Sequence, residues 1–232
     1  VRQARDDDVG EIIKYGVIEV VPRAQYEEHK RRGHAAGRTY RAIDVRWSDT
    51  NKGTAEQPEL RSRLCAREIK RLQECGITEL AGNASDLFAS MPPIEAVRMV
   101  FSMFMSRSTS KRSQPLKIRL FDIKRAYFNA LAAREHLYIE IPDELVPQGV
   151  NPSEVIGILR KSMYGTRDAG ANWKAEFTSC LTEAGWNQGI ACPNIYLHEE
   201  LDAVAVCHGD DVHALGDEAA LDMVQRAMEA RC

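Results

Sequence analysis

Short runs of apolar residues and longer helical repeats alternate along the chain, and together they predict an α+β fold. Runs of β-type residues predict strands at 17–21, 38–47, 60–66, 117–123, 138–141, 155–164, 194–198 and 201–208. Helical spacing of apolar residues predicts helices after Pro92 and Pro93, at 168–184 and at 218–231. We therefore expect an antiparallel sheet covered on one face by helices.

The predicted helices have defined apolar faces. In the helix after Pro93 these are Ile94, Val97, Val100, Phe101 and Phe104, and in the helix at 168–184 they are Trp173, Phe177 and Leu181. We expect Trp173 to anchor a core. Asp217 precedes the last helix and is a predicted N-cap.

Other segments carry weaker patterns. Residues 1–16 are polar and acidic, which predicts a disordered or poorly packed N-terminal segment. Residues 23–37 are charged and predict a loop or a frayed helix, and 48–53 form a turn cluster. Residues 72–90 are too weakly patterned to assign.

A tight Gly209-Asp210-Asp211 centre lies between two apolar runs. A Gly-Asp pair between β-type runs is a hairpin signal. Two adjacent carboxylates at a turn can face a shared ion, and magnesium prefers a few carboxylates together with substrate phosphates. Glycine and aspartate are also common in solvated turns, so this segment alone allows both interpretations.

Asp122 ends the strand predicted at 117–123, and the hairpin that carries Asp210 and Asp211 can pair beside it. Three carboxylates on adjacent strands can hold two divalent ions about 4 Å apart, which is the two-metal route to phosphoryl transfer. His208 and His213 flank the hairpin acids and raise the alternative of a transition metal, although their spacing does not match a zinc pattern.

Composition places the chain among ordinary globular proteins. Its 232 residues, 44% hydrophobic and 28% charged, suffice for one large domain or two small subdomains.

The sequence lacks an apolar run of membrane-spanning length and a signal-peptide pattern, so we expect an intracellular protein without a membrane partner. The start at Val1 instead of Met indicates a piece of a longer product. The cysteines have no CxxC spacing, which indicates reduced thiols.

Two basic stretches stand out against a net charge of −3, a charge that disfavours a dedicated nucleic-acid module. The first surrounds a single acid, Glu68, and comprises Arg61, Arg63, Arg67, Lys70 and Arg71. The second is broken only by Asp122 and comprises Arg107, Lys111, Arg112, Lys117, Arg119, Lys124 and Arg125. Each stretch predicts either a solvated face or a phosphate-binding surface.

Four blocks in order resemble the reverse transcriptase domain of copia-type LTR retrotransposon Pol polyproteins. Leu120-Phe-Asp-Ile-Lys-Arg-Ala-Tyr-Phe-Asn129 resembles that family's first catalytic block. Leu159-Arg-Lys-Ser-Met-Tyr-Gly-Thr-Arg-Asp-Ala-Gly-Ala-Asn-Trp173 is similar to its Leu-x-Lys-Ser-Leu-Tyr-Gly block. Val206-Cys-His-Gly-Asp-Asp211 takes the place of its Tyr-Val-Asp-Asp, and Val45-Arg-Trp47 with Arg61-Ser-Arg-Leu-Cys-Ala-Arg67 is similar to an upstream pair.

The resemblance implies an RNA-directed DNA polymerase with fingers at 17–116, a palm at 117–232 and no thumb. It implies that Asp122, Asp210 and Asp211 bind two Mg²⁺ ions, for which Mn²⁺ can substitute. Arg61, Arg63 and Arg167 would contact the nucleotide or template. The implied partners are an RNA or DNA template with its primer, dNTPs and other Pol segments, in the cytoplasm (a virus-like particle) or the nucleus.

Tyr127 has the implied role of a gate under the sugar, where an aromatic ring clashes with a 2′-hydroxyl. Viral RNA-dependent RNA polymerases also carry Gly-Asp-Asp at a hairpin, but they generally have an acid at the position of Tyr127. Taken alone, Tyr127 is better explained as a half-buried core ring.

Several positions depart from the family pattern: His208 replaces a tyrosine, Gly209 a hydrophobic residue, Asp168 a glutamine and Gly170 a proline. Glycine loosens the hairpin. We expect an acid at position 168 to weaken phosphate contacts. The alternatives are therefore a truncated, weak or inactive remnant that only binds nucleic acid, and an unrelated metal-dependent phosphotransferase, which does not account for the ordered blocks.

Overall fold

The computed structural model of the chain describes residues 1–37, 40–68 and 91–231. The predictions for 38–39 and 72–90 lie outside the described residues. The helices are Arg2–Tyr15 (α1), Arg23–Ala35 (α2), Ile94–Ser106 (α3), Ala126–Asn129 (α4), Ala169–Glu183 (α5) and Glu218–Glu229 (α6). The strands are Ile18–Pro22 (β1), Val45–Asn51 (β2), Leu60–Ala66 (β3), Lys117–Asp122 (β4), Tyr138–Ile139 (β5), Val155–Leu159 (β6), Asn187–Gln188 (β7), Ile195–His198 (β8), Ala203–His208 (β9) and Asp211–Gly216 (β10).

All pairings between these strands are antiparallel. In the described part of the chain they form sheets of order β1-β6-β5, β4-β10-β9-β8-β7 and β2-β3. The mixed α and β composition with antiparallel sheets confirms the predicted class. Some of the short apolar runs pair with the next strand along the chain, as in β8, β9 and β10, whereas β1 with β6 and β4 with β10 pair over long distances in sequence.

The chain divides into two compact units. The first unit contains Val1–Leu87 and Ala130–Asn172, and the second contains Phe88–Asn129 and Trp173–Cys232. This division differs from the predicted boundary between residues 116 and 117. The reason is the pairing of β1 with β6, which joins residues 130–172 to the N-terminal part of the chain.

The N-terminal segment is an ordered helix, so the prediction of a poorly packed segment was wrong. One side of α1 is buried through Asp8, Val9 and Ile12. The Asp8 carboxylate accepts a hydrogen bond of 2.7 Å from the backbone N–H of Leu64 in β3. A helix with a polar sequence can be buried in this way because the buried Asp8 carboxylate has a hydrogen-bond donor, the Leu64 N–H.

The β2–β3 hairpin is longer than the sequence predicts. Residues 48–51 belong to β2 and pair with residues 60–63 of β3, so the predicted turn at 48–53 was wrong for most of its length. A cross-strand hydrogen bond of 2.7 Å from Ser62 Oγ to Asp49 compensates for the low strand preference of these polar residues.

Helices lie on both faces of the five-stranded sheet in the second unit, not on one face as predicted. On one face, α3 packs against Ile118, Val204 and Leu215. Arg119 is the neighbour of Ile118 in β4 and points to the other face, where it bonds Asp222 of α6 at 2.9 Å. The strand alternation therefore separates α3 from α6.

The apolar stripe of α3 is only partly used for this packing. Val100 is fully buried, and Val97 and Phe104 pack on the same cluster. Ile94 and Phe101 are exposed, so the prediction that they pack on the core was wrong. In α5, by contrast, all three predicted core residues, Trp173, Phe177 and Leu181, are buried.

Candidate active site

The predicted hairpin is formed by β9 and β10 of the second unit. His208 pairs with Asp211, so Gly209 and Asp210 are the two loop residues. Gly209 has φ +69° and Asp210 does not have a positive φ. A positive φ only at the first loop position is the pattern of a type II′ turn, which favours glycine there. The substitution of Gly209 for a hydrophobic residue therefore fits the backbone of this turn.

Asp122 and Asp211 lie directly opposite each other on β4 and β10. The backbone N–H of Ile123 donates to the carbonyl of Asp210 at 2.9 Å, which makes Asp122 and Asp211 a non-hydrogen-bonded pair. In such pairs the Cβ atoms are about 4.5–5.5 Å apart on the same face of the sheet. The fold thus brings two of the three predicted carboxylates together, and Asp210 lies one residue away in the loop.

This opposed aspartate pair, Asp122 and Asp211, lies at an open end of the sheet face. The α3 helix covers the cross-strand row that contains Ile118 and Leu215. Four residues further along the strands, both aspartates are exposed to solvent. Leu120, in the intervening row, is 62% exposed. The carboxylates are therefore accessible to a ligand from solvent.

The donor set of this site suits a hard divalent cation, because carboxylate oxygens are the ligands that magnesium takes from proteins. Magnesium usually keeps several waters and needs only one or two carboxylates besides substrate phosphates. Among the residues that the structure describes, no three His, Cys, Asp or Glu side chains are arranged to hold a metal ion. The opposed pair fits magnesium with shared phosphate ligands, whereas a closed protein cage for zinc at His208 and His213 receives no support.

Two buried side chains, Trp173 and Cys207, lie next to the turn of the hairpin. Trp173, 3% exposed, donates its indole N–H to the carbonyl of Gly209 at 2.7 Å. The predicted core anchor thus also holds the turn. Burial, together with the charges of Asp210 and Asp211, raises the pKa of the Cys207 thiol to about 12. The thiol therefore stays protonated, mainly because it is buried.

Tyr127 lies in α4, in the same unit as the aspartates, and is half-buried. The short helix begins after Arg125, whose φ is +57°, and Phe128 fixes it in the core with no exposed surface. The position of Tyr127 is compatible with both predicted interpretations, and its role as a gate stays a prediction.

The predicted arginine set, Arg61, Arg63 and Arg167, lies in the first unit. Arg61 and Arg63 alternate with the buried Ser62 and Leu64, so they share one face of β3 as predicted. The Arg63 guanidinium lies 4.7 Å from the ring centroid of Tyr164.

Asp168 does not lie on an exposed nucleotide surface. It is 6% exposed and pairs with Arg134 at 2.7 Å. Burial works to raise the pKa of Asp168, but the hydrogen bonds and charge of Arg134 outweigh it and leave the pKa below its ordinary value. The assumption that this acid is exposed was therefore wrong, and its effect on phosphate contacts stays a prediction.

Sequence reasoning missed Arg134 as a partner of Asp168 and Glu68. Arg134 also bonds Glu68 through two nitrogens, at 2.6 and 2.8 Å. The sequence contained one signal for an ion pair at Glu68, which is the single acid in a basic stretch. Nothing in the sequence around Arg134 marks it as that partner.

The second basic stretch is largely engaged in ion pairs within its own unit. Arg107 pairs with Asp202 and Arg112 with Asp217. Lys117 and Arg119 both contact Glu218 at 2.6 Å. Of its two predicted uses, a phosphate-binding surface is therefore disfavoured for these four cations.

No protein-family model matches the sequence, and no curated protein matches it. A solved structure of telomerase from Candida albicans, in complex with a TWJ fragment of telomeric RNA, is similar with a TM-score of 0.42 and 11% sequence identity. The match covers 93% of this chain, and the chain spans 41% of the telomerase chain. We transfer no function from a likeness of this size.

None of the helices in the described ranges is both long and apolar enough to cross a bilayer.

Proposed function

We propose that the chain is the fingers and palm part of a reverse transcriptase from a copia-type retrotransposon, an enzyme that transfers nucleotides from dNTPs to a primer 3′-hydroxyl. The observation that carries the proposal is the opposed pair of Asp122 and Asp211 at the open end of a sheet face. Like charges directly opposite each other destabilise a sheet. A bound cation removes that cost, so the arrangement favours a cation-dependent function.

The residues of the second unit have defined roles in this proposal. Asp122 and Asp211 would hold the cations, since the backbone ladder fixes their strands, and Asp210 would add a carboxylate from the adjoining turn. Magnesium, when bound, would supply activation of the hydroxyl and charge neutralisation at the phosphates. Tyr127 excludes a ribose 2′-hydroxyl.

Arg63 and Arg167, in the first unit, are proposed to contact the triphosphate. Arg63 Nε and Arg167 Nη1 are buried nitrogen atoms that have no hydrogen-bond partner among the described residues. Buried donors of this kind are rare in folded proteins because they cost free energy. The rest of each arginine side chain is partly exposed, and phosphate oxygens of an incoming dNTP would bond these guanidinium groups through charge-assisted hydrogen bonds. RNA or DNA template and primer are the other proposed partners.

A second candidate function is a catalytically weak or inactive remnant that retains only nucleic-acid binding. One observation favours it: the acidic side chains in the described ranges do not form a preassembled three-ligand metal cluster. The two candidates differ in magnesium-dependent turnover and agree in nucleic-acid binding.

Primer extension on poly(rA)/oligo(dT) with dTTP and magnesium separates the two candidates. The polymerase proposal predicts extension by the wild-type chain and its loss in Asp210→Asn. A folded wild-type chain that binds the primed template without extending it would establish the remnant instead.

A further inference from the structure

A buried charge cluster in the first unit is not explained by the predicted site. It consists of Glu68, Arg134 and Asp168, whose side chains are only 10%, 13% and 8% exposed. Arg134 donates to both oxygens of Glu68 and to both oxygens of Asp168, over 2.6–3.0 Å. A second donor to Asp168 is Asn172, at 3.3 Å.

The cluster joins parts of the chain that are far apart in sequence. Glu68 follows β3, and Asp168 immediately precedes α5. Buried ion pairs add little net stability, because desolvation of the charges offsets their attraction. Such clusters are best attested as devices that select one arrangement of the chain. The arrangement selected here is that of β3 against the segment 164–168.

This segment lies directly against β3. The Tyr164 carbonyl accepts the backbone N–H of Ala66 at 2.7 Å. A Cβ atom on Gly165 would come within 2.0 Å of the Ala66 carbonyl oxygen, so only glycine permits this approach. Glu68 also accepts the backbone N–H of Arg167 at 2.9 Å. The Glu68 carboxylate therefore accepts hydrogen bonds both from the Arg134 side chain and from the backbone of Arg167, a predicted nucleotide-binding residue.

We propose that Glu68, Arg134 and Asp168 are positioning residues for triphosphate binding, because they fix the segment that carries Arg167 against the strand that carries Arg63. The inference rests on the proposed function, in which these two arginines contact the triphosphate. Arg134 acts through other residues and does not itself touch the nucleotide.

The test variant replaces the whole cluster by neutral groups of similar shape, Glu68→Gln/Arg134→Met/Asp168→Asn. Removal of Arg134 alone would leave two buried carboxylates without a counter-charge and destabilise the fold. Arg134→Lys is a second variant, which keeps the positive charge but loses the fork that reaches both carboxylates. Arg160→Gln is the matched control, since Arg160 forms an exposed ion pair with Glu19 at 2.6 Å in the same unit.

The primary measurement is the dissociation constant of a fluorescent dATP analogue for the full chain, with the thermal unfolding midpoint recorded for every variant. We expect the triple variant and Arg134→Lys to weaken binding on the order of tenfold, because small displacements of binding groups carry large penalties. Arg160→Gln should bind like the wild type. In primer extension, the dNTP KM should rise while kcat stays near the wild-type value, which a general loss of fold would not produce.

Two results would overturn the proposal: wild-type affinity in folded cluster variants, or no binding of the analogue by the wild-type chain. If the triple variant does not fold, Arg134→Lys decides on the same criterion. A wild-type chain that binds the analogue but does not extend a primer would refute the polymerase function and leave the positioning role to be decided by the affinities.

Discussion

At the scale of single residues, the opposed carboxylates of Asp122 and Asp211 are a contact that folding alone does not favour. Both side chains are exposed, so water screens part of their repulsion. The two residues are nevertheless fixed in register, and a divalent cation is the simplest group that turns their repulsion into attraction.

Asp211→Asn should therefore stabilise the metal-free chain while removing its response to magnesium. We expect a gain in unfolding free energy of about 0.2–1 kcal/mol in the presence of EDTA, the usual scale of cross-strand pairs. Magnesium should raise the urea midpoint of the wild type and have little effect on the variant, because a ligand stabilises only the state that binds it. Glu200→Gln, an exposed acid of the same unit, is the control. A lower stability of Asp211→Asn in EDTA would contradict this prediction.

Asp168 gives a second prediction, on pH dependence. The pKa of Asp168 is lowered in the folded chain from an ordinary value of 3.8, because the bonds from Arg134 outweigh the effect of burial. A lowered folded-state pKa gives stability that is complete above the ordinary pKa and is lost as the pH falls through the folded value.

The difference in unfolding free energy between wild type and Asp168→Asn should thus be constant near neutral pH and shrink below pH 3.8. Chemical denaturation at a series of pH values measures it. Glu135→Gln removes a carboxyl that is 91% exposed in the same unit and serves as the reference variant. A difference that grows on acidification would show that Asp168 is not held ionised by Arg134.

At the scale of elements, the β9–β10 hairpin needs a glycine at position 209 because of its backbone conformation, and neighbouring atoms do not exclude a side chain there. A Cβ atom at this position would meet nothing within 4 Å, so only the positive φ opposes a side chain. We expect Gly209→Ala to cost about 1–2 kcal/mol of unfolding free energy, and Gly209→Asn to cost less because asparagine tolerates this conformation. Urea unfolding of the three chains tests the order. Equal stability of the alanine variant and the wild type would exclude the type II′ turn.

Elements with a strong local signal could be predicted from the sequence. The hairpin, the N-cap at Asp217 and the core face of α5 follow from turn residues and apolar spacing, and the structure confirms them. The α1 helix could not be predicted, because its packing depends on a bond between Asp8 and a strand far away in sequence. The same applies to Arg134, whose partners are set only by the tertiary fold.

At the scale of the whole molecule, the candidate site residues fall in both units. The second unit contains Asp122, Asp210, Asp211 and Tyr127, and the first contains Arg61, Arg63 and Arg167. The sequence blocks mark these residues as candidates but do not predict how they divide between the units. The division could not be read from the sequence because it results from the long-range pairing of β1 with β6.

Single-nucleotide incorporation into a primed RNA template tests the central proposal most directly, with wild type, Asp211→Asn and Asp222→Asn compared at equal concentrations of folded chain. Asp222 lies on α6, bonded to Arg119 at 2.9 Å, and controls for loss of a carboxylate elsewhere in the unit. Magnesium-dependent incorporation by the wild type and by Asp222→Asn, with none above background in Asp211→Asn, is the predicted result. Equal incorporation by wild type and Asp211→Asn, or none by a folded wild type that binds the primed template, would contradict it.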